Sequence, residues 1–549
     1  MLKYFQQDYL NHYNIKMVIK NLATLLLILI LLHSCKGQQP KTTIVERDTT
    51  ITAATSFSKL FLDSAKLAIF IKEKKAGENA AGQLYDFYKR RNYQFAWFTE
   101  DAIAEHTRSF WNLHNSYIND FGDTALKFKN LHQHIDMLLS DDTLTKITAE
   151  KMLQTELELT MHFFEYSSRA YAGKLNPKEL EWYIPRKKIN ASELLDSLIS
   201  RDGKDLQAWE PVNIYYQSLK KELVHYHEID KAGGWKMIAA NQLKKYSPGD
   251  SALVIKQVKQ RLKLTDAEKS IDTTVYYPSE LMVVIKRTQK SFGINEDGII
   301  TAALIKELNV SVKERIKEML INLERMRWLP QQPEENMILV NIPEFRLHVF
   351  ENAKKVFSIN IVVGKAANNT VIFTGQLKHV VFSPYWNVPR SIVQNEILPA
   401  IRRNRNYLAK KNMEQTGYSS GLPVIRQKPG GQNALGRVKF IFPNSYSIYF
   451  HDTPSKSLFK MDNRAFSHGC IRLAEPVKLA TYLLRHQPEW TSEKINIAMD
   501  SSKEKWVPLK KPLPVFITYF TAWVDSEGLL NFRKDIYGHD KNLAKHLLN

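Results

Sequence analysis

The hydrophobic period of this chain changes near Pro330, and that change limits what it can fold into. From about Phe57 to Tyr246, segments such as Ala80–Arg91 and Ala149–Phe164 carry apolar residues three and four apart, the spacing of helices with one buried face. Downstream, Met337–Ile342, Arg346–Phe350, Lys355–Val363, Leu377–Phe382, Val438–Phe442 and Tyr446–His451 are short β-branched or aromatic runs bounded by Pro, Gly and Asn. One layer of structure cannot satisfy both periods. At 549 residues the chain also exceeds a single core, so roughly three to four domains are expected. The expected class is multidomain α+β, with a helical N-terminal region followed by a β-rich, sandwich- or barrel-like domain.

Between these regions lies a small unit, residues 251–309. Val254, Val258 and Leu262 predict one short helix, and Leu281, Val284, Ile285 and Thr288 a second with Ser279 as its N-cap. Gly293 and Gly298 then supply turns. Residues 310–335 read as a linker helix that opens on Ser311 with Glu314 three residues on and buries Ile316, Met319, Leu320 and Leu323. In the helical region, residues 57–250, the aromatics Tyr85, Tyr88, Trp97, Trp111, Phe163 and Tyr166 read as core rather than as a sugar-binding groove. Within the β-rich region, Asn395–Gln432 breaks the strand rhythm over a length that suits a lid or binding loop. Its basic run, Arg402, Arg403, Arg405, Lys410 and Lys411, reads as a solvated face more readily than as a substrate contact.

The N-terminus points to export. Leu22–Leu32 is an apolar run after Lys20, too short for a confident spanning helix but suited to a secretory signal, and Met17 would make a more ordinary start. Leu32, Ser34 and Cys35 resemble the lipobox of bacterial lipoproteins, with His33 departing from it, so residues 1–35 are expected to be a signal with lipidation at Cys35 and 36–56 a polar tether. An uncleaved N-terminal anchor is the alternative. The net charge of +20 calls for an anionic partner; export favours wall or membrane over nucleic acid.

With Cys35 acylated, Cys470 is the remaining thiol and has no intramolecular disulfide partner. It sits in R-A-F-S-H-G-C-I-R-L, 19 residues after His451 in Y-F-H-D-T-P. Three chemistries fit these residues. As a nucleophile, Cys470 would use His451 as base, with His451 oriented by the backbone carbonyl of Asp452 and the amides of Gly469 and Cys470 facing an oxyanion. As zinc ligands, His451, Asp452, His468 and Cys470 have acceptable atoms but no CxxC or HxxxH spacing. As a buried structural residue, Cys470 would need apolar neighbours, and His468, Gly469 and Arg472 are not.

These motifs resemble the signature of L,D-transpeptidases, the YkuD-type catalytic domain: a histidine, a spacer of about sixteen residues, then S/T-H-G-C and an Asn or Arg. R-M-R-W-L-P, V-N-I-P-E-F-R-L, F-S-P-Y-W-N-V-P-R-S-I and K-P-G-G-Q-N-A-L-G-R-V-K-F-I-F-P-N extend the likeness to the large periplasmic subgroup, strongly over roughly 250–540 and weakly over 57–250. The K-S-F-G-I-N-E-D-G-I-I-T stretch resembles a small peptidoglycan-binding module. The resemblance implies a scaffold domain (57–250), a peptidoglycan-binding-like module (251–309), a catalytic domain (336–500) with an inserted helical capping subdomain (395–432), and a C-terminal segment (501–549) packed on it. It further implies Cys470 as nucleophile, His451 as base, the Asp452 carbonyl as its orienter, Gly469 as oxyanion amide, and Ser467, His468, Arg472, Tyr449 and Trp386 at the substrate. The implied reaction releases D-alanine from a donor tetrapeptide stem and forms a 3→3 peptidoglycan cross-link to an acceptor stem through a cysteine thioester. It needs no metal or cofactor, takes place in the periplasm of a Gram-negative bacterium, and is blocked covalently by carbapenems. Two alternatives use the same sequence: an L,D-carboxypeptidase or endopeptidase, and a non-catalytic wall-binding lipoprotein.

Overall fold

A computed structural model describes residues 45–74, 77–140, 147–239, 244–265, 271–331 and 334–548. Cys35, the signal and residues 36–44 of the expected tether lie outside the described residues. The chain forms two compact units that divide after Glu100. In the first, the helices Ser64–Glu73 and Glu78–Arg90 and the segment after them bury Leu67, Leu84, Phe87, Tyr88 and Trp97. Tyr85, expected in the core, is 40% exposed.

The second unit begins with helices Glu105–Phe121, Lys129–Ser140, Ala149–Ser167, Ala191–Ser200 and Ile214–Lys231. Trp111, Phe163 and Tyr166 are buried there, and Phe110 meets both Phe163 and Tyr166 edge to face, so the aromatic stripe is core. The small module has helices Leu253–Thr265, Leu281–Phe292 and Ala302–Leu308 around its own apolar core, which includes Ile255, Val258, Ile285 and Leu304. Gly293 ends the second helix at φ +64, as its position after the last apolar residue predicts. Ser279 is not that helix's cap. Glu280 holds the position, and Ser279 contributes only its carbonyl, to Met282 N.

Helix Val312–Trp328 is more than a linker. Ser311 caps it by accepting from Glu314 N at 3.3 Å. Farther along, Glu324 Oε1 accepts from the amides of Lys174 and Leu175 at 2.6 and 3.0 Å, while Arg327 donates to Ala170 O and to Glu324. Asn322 exchanges two hydrogen bonds with Thr521, and Arg325 pairs with Asp540 at 2.6 Å. The helix therefore ties the helical domain to the C-terminal segment through buried, satisfied polar groups.

The β-rich part contains strands β2 (Met337–Asn341), β3 (Arg346–Glu351), β4 (Lys354–Gly364), β5 (Ile372–Phe382), β9 (Val438–Ile441), β10 (Phe450–His451), β11 (Ala465–Ser467), β12 (Ile471–Leu473) and β13 (Lys505–Thr518). Their order is β5-β13-β2-β3-β4-β12-β10-β9, and β9 pairs back onto β5, so the sheet closes into a barrel. Ile338, Val340, Leu347, Ile359, Phe450, Ile471, Val515 and Ile517 are fully buried in it. A two-residue strand of the helical domain, β1 (Trp182–Tyr183), adds in parallel to the start of β5. The short hairpin β14 (Ala522–Val524) and β15 (Leu530–Phe532) and helix His539–Leu547 finish the chain.

Two expectations change. The C-terminal segment does not merely pack on the catalytic region, because β13 lies inside the sheet between β5 and β2. The insertion is not all helical: its short helices from Arg390 to Lys410 pack beside a three-stranded sheet of β6 (Trp386–Asn387), β7 (Met413–Ser419) and β8 (Leu422–Gln427). It starts at Trp386 and has its own core of Val388, Val393, Ile397 and Ile425. The turn joining β7 to β8 is Ser420-Gly421, both at positive φ, the two-residue hairpin connection. Arg402, Arg403, Arg405, Lys410 and Lys411 are exposed, the solvated reading of the basic run.

Candidate active site

β10 and β12 run parallel with Phe450 opposite Ile471 and His451 opposite Arg472. Side chains alternate along a strand, so Phe450, Ile471 and Leu473 turn into the barrel core. Tyr449 and His451, with Cys470 and Arg472, therefore share the other face. This alternation is why Y-x-H and C-x-R can meet although they lie about twenty residues apart.

His451 is 4% exposed, and its Nδ1 lies 2.5 Å from the Asp452 carbonyl. A carbonyl only accepts, so Nδ1 carries the proton and Nε2 keeps its lone pair. Burial, and then the Arg472 guanidinium, hold the His451 pKa down to about 4, so the imidazole is neutral. The Asp452 carboxylate is committed elsewhere: Oδ2 accepts from Arg437 N at 2.9 Å and Oδ1 pairs with Lys456 at 2.6 Å. The Asp452 carboxylate is engaged and His468 is turned toward the insertion, and among the described residues no three His, Cys, Asp or Glu side chains are grouped so as to hold a metal ion.

Cys470 is half-buried and its Sγ donates to Ser447 O at 3.6 Å. Burial pushes its thiol pKa above the ordinary value, against the opposing pull of Tyr449 hydrogen bonds and Arg472. The Tyr449 phenol is in turn pushed up by burial and by the neighbouring Cys470, and its ring centroid lies 5.8 Å from that of His451. The Ser447 carbonyl is presented by a loop, not by the strand expected over Tyr446–His451. Asn444 accepts from the amides of Tyr446 and Ile448 and donates to Phe442 O and Ile448 O, which bends the chain and leaves only Phe450–His451 in the sheet.

The S-H-G-C turn is fixed by hydrogen bonds within it. Ser467 Oγ donates to Cys470 O at 2.5 Å and accepts from Gly469 N at 3.1 Å. The Gly469 amide, expected to face an oxyanion, is thus already engaged. The Cys470 amide finds no acceptor among the described residues, which makes it the available donor. Gly469 sits at φ +111, a conformation L side chains rarely adopt. His468 is exposed at the rim, with Nε2 3.3 Å from Glu396 of the insertion. Arg472 has its Nε buried without a hydrogen-bond partner among the described residues. Trp386 is half-buried on β6 and packs against the insertion's own core. Asn444, Ser447 and Glu396 were missed from the sequence. The F-P-N turn signal marks Asn444, whereas nothing local marks the other two.

A cysteine turn beside an oriented neutral histidine on a β-barrel has the parts that thiol-based acyl transfer or hydrolysis requires. Residues 335–501 match the L,D-transpeptidase catalytic domain, YkuD, and residues 82–223 match a scaffold domain. The stretch that matches the catalytic domain holds both His451 and Cys470. It is 31% identical over 257 residues to the "Putative L,D-transpeptidase" of Haemophilus influenzae, covering 44% of this chain. The match takes in 51% of that protein, so this chain spans about half the length of its curated relative. Among solved structures, an L,D-transpeptidase from Mycobacterium smegmatis is 13% identical with a TM-score of 0.19, over 34% of this chain and 58% of that one. One from Stackebrandtia nassauensis is 14% identical with a TM-score of 0.20, over 51% and 97%. No helix among the described residues is long and apolar enough to cross a membrane.

Proposed function

We propose that the protein cross-links peptidoglycan by L,D-transpeptidation. The observation that carries this is the shared face of Cys470, Tyr449, His451 and Arg472, with His451 Nε2 left free by the Asp452 carbonyl. Cys470 Sγ adds to the carbonyl that joins the L-centre of the diamino acid at the third stem position to the terminal D-alanine. The thiol proton passes to His451 Nε2 and the carbonyl π electrons move onto oxygen. Collapse breaks the amide bond, the departing amine takes the proton from His451, and D-alanine leaves a thioester on Cys470. The side-chain amine of a second stem then attacks the thioester, restores the thiol and leaves a 3→3 cross-link. Ser467 holds the turn and Arg472 biases the thiol and imidazole; Tyr449, His468 and Trp386 flank the route of the stems. The self-contained insertion, which touches the S-H-G-C turn through Glu396 and His468, serves as the lid over the donor. No step calls for a cofactor, and a nucleophilic thiol of this kind is open to carbapenem acylation.

The apolar N-terminal run and the lipobox-like Cys35 support a lipoprotein held on the periplasmic side of a membrane in a Gram-negative cell, where the positive charge meets wall carboxylates and anionic headgroups. Incubating the protein with purified disaccharide-tetrapeptides and weighing the products tests the activity. Cross-linked dimer with D-alanine release is the expected result. Tripeptide monomer alone would make the protein an L,D-carboxypeptidase, and no turnover would leave a wall-binding role.

A further inference from the structure

Behind the S-H-G-C turn, Thr370 is fully buried and makes a contact the reaction itself does not call on. Its Oγ1 donates to Gly469 O at 2.9 Å and accepts from Gly364 N at 2.9 Å. Its own N–H donates to the Tyr537 hydroxyl at 3.3 Å, and that hydroxyl donates to Gly364 O at 2.6 Å. Gly364 admits no side chain, since a Cβ there would lie 2.1 Å from Asn368 O, so the loop between β4 and β5 closes tightly on itself. Ser467 pairs with Gly364, and Lys365 N donates to Ser467 O at 3.0 Å, which brings this loop directly under the cysteine turn.

No cis peptide occurs among the described residues, so the Gly469–Cys470 peptide is trans and planar. In a trans peptide the C=O and N–H point in opposite directions. Fixing Gly469 O onto the buried Thr370 hydroxyl therefore turns the Cys470 N–H the other way, out of the core and toward the open side of the turn. Of the Gly469, Cys470 and Ile471 amides, that of Cys470 is the one without an acceptor among the described residues, because the Gly469 amide is held by Ser467 and the Ile471 amide donates to Tyr449 O.

We infer that Thr370 is a positioning residue that aims the Cys470 amide at the oxyanion formed when Cys470 Sγ adds to a carbonyl. The inference rests on the acyl transfer proposed above. A preorganised donor matters at this step because it receives the charge as the C=O π pair moves onto oxygen, without having to reorient. Alkylation of the same thiol by iodoacetamide displaces iodide, which carries the negative charge away, and forms no tetrahedral oxyanion. The two reactions share the nucleophile and differ in their need for the amide.

The test compares both rates on the full-length protein by intact mass, using a carbapenem as acylating agent and iodoacetamide as alkylating agent. Loss of an oxyanion donor costs about 10²–10³ in rate, and a misaimed donor should cost at least about tenfold. Thr370→Val is expected to slow acylation at least about tenfold and to change alkylation less than about twofold, while Thr370→Ser keeps both rates near wild type. If Thr370→Val does not fold, Tyr537→Phe reads the same ratio, with an expected fall in acylation relative to alkylation. Wild-type acylation in the Val variant, a parallel fall of both rates, loss of acylation in the Ser variant, or an unchanged ratio in the Phe variant would each overturn the inference. A wild-type protein that is alkylated but never acylated would bring down the proposed reaction as well, so the two failures are told apart.

Discussion

Alkylation of Cys470 followed from about pH 5 to about pH 10 separates two resting states of the site, a neutral thiol beside a neutral imidazole and a thiolate–imidazolium pair. The structure favours the neutral pair. Burial raises the thiol above its ordinary pKa of 9.0, its Sγ donates to the Ser447 carbonyl, and His451 is held down to about 4. A thiol titrating above that value is at most about 1% thiolate at pH 7. The iodoacetamide rate, read by intact mass, should therefore climb about tenfold per pH unit past pH 8 and at pH 7 lie about a hundredfold or more below its alkaline limit. His451→Gln should leave this profile nearly unchanged, since alkylation needs only the thiolate, yet abolish acylation by a donor stem, which needs the base. A rate already level between about pH 5 and pH 8 would show a preformed thiolate–imidazolium pair instead of the neutral one.

Gly436→Ala should cost activity without contact with substrate. Gly436 is at φ +63, and a Cβ there would lie 2.4 Å from Asp452 Cγ, so Asp452 and the carbonyl that orients His451 must shift. Acylation is expected to fall at least about tenfold in single-turnover assays; an unaltered rate would detach His451 orientation from this backbone. In the helical domain, burial holds His114 down to about 4 and His162 to about 3, and their Nε2 atoms are 2.8 Å apart. Because both folded pKa values lie below the unfolded 6.5, the stability they confer is complete above pH 6.5 and is lost as pH falls toward 4. By pH 4.5 each should have given up about 2.5 kcal/mol. The fluorescence of Trp111, stacked 4.8 Å from His114, reports the melt, and a melting temperature flat from pH 6.5 to about 4.5 would count against this.

Much of the molecule was legible because local pattern and final environment agree. Ser311 caps its helix and Gly293 ends another in the positions their residue types predict, and β2 to β5 fall on the β-branched runs. β13 was illegible because Pro508, Pro512 and Pro514 interrupt it, and prolines demote a run to an edge. It nonetheless lies within the sheet, with its register shifted between Pro508 and Leu513. The sheet of the insertion was announced by the Ser420-Gly421 turn, but the helical run before it masked the signal. At the candidate site, the S-H-G-C signature and its spacing single out Cys470, His451 and the Asp452 carbonyl, and the closed sheet places His451 beside the Cys470 strand with its Nδ1 on that carbonyl. Thr370, Ser447 and Glu396 could not be read from the sequence, since each acts through a contact with residues about 20 to 100 positions away that only the closed barrel and its insertion create.

The proposed function stands or falls on whether Cys470 accepts an acyl group from a tetrapeptide stem. The most direct measurement mixes the protein with disaccharide-tetrapeptide and records its intact mass after rapid acid quenching. An adduct equal to the donor less D-alanine is expected, with one D-alanine released per adduct, and neither in Cys470→Ala. An adduct that survives in Cys470→Ala, or D-alanine release by that variant at the wild-type rate, would contradict it.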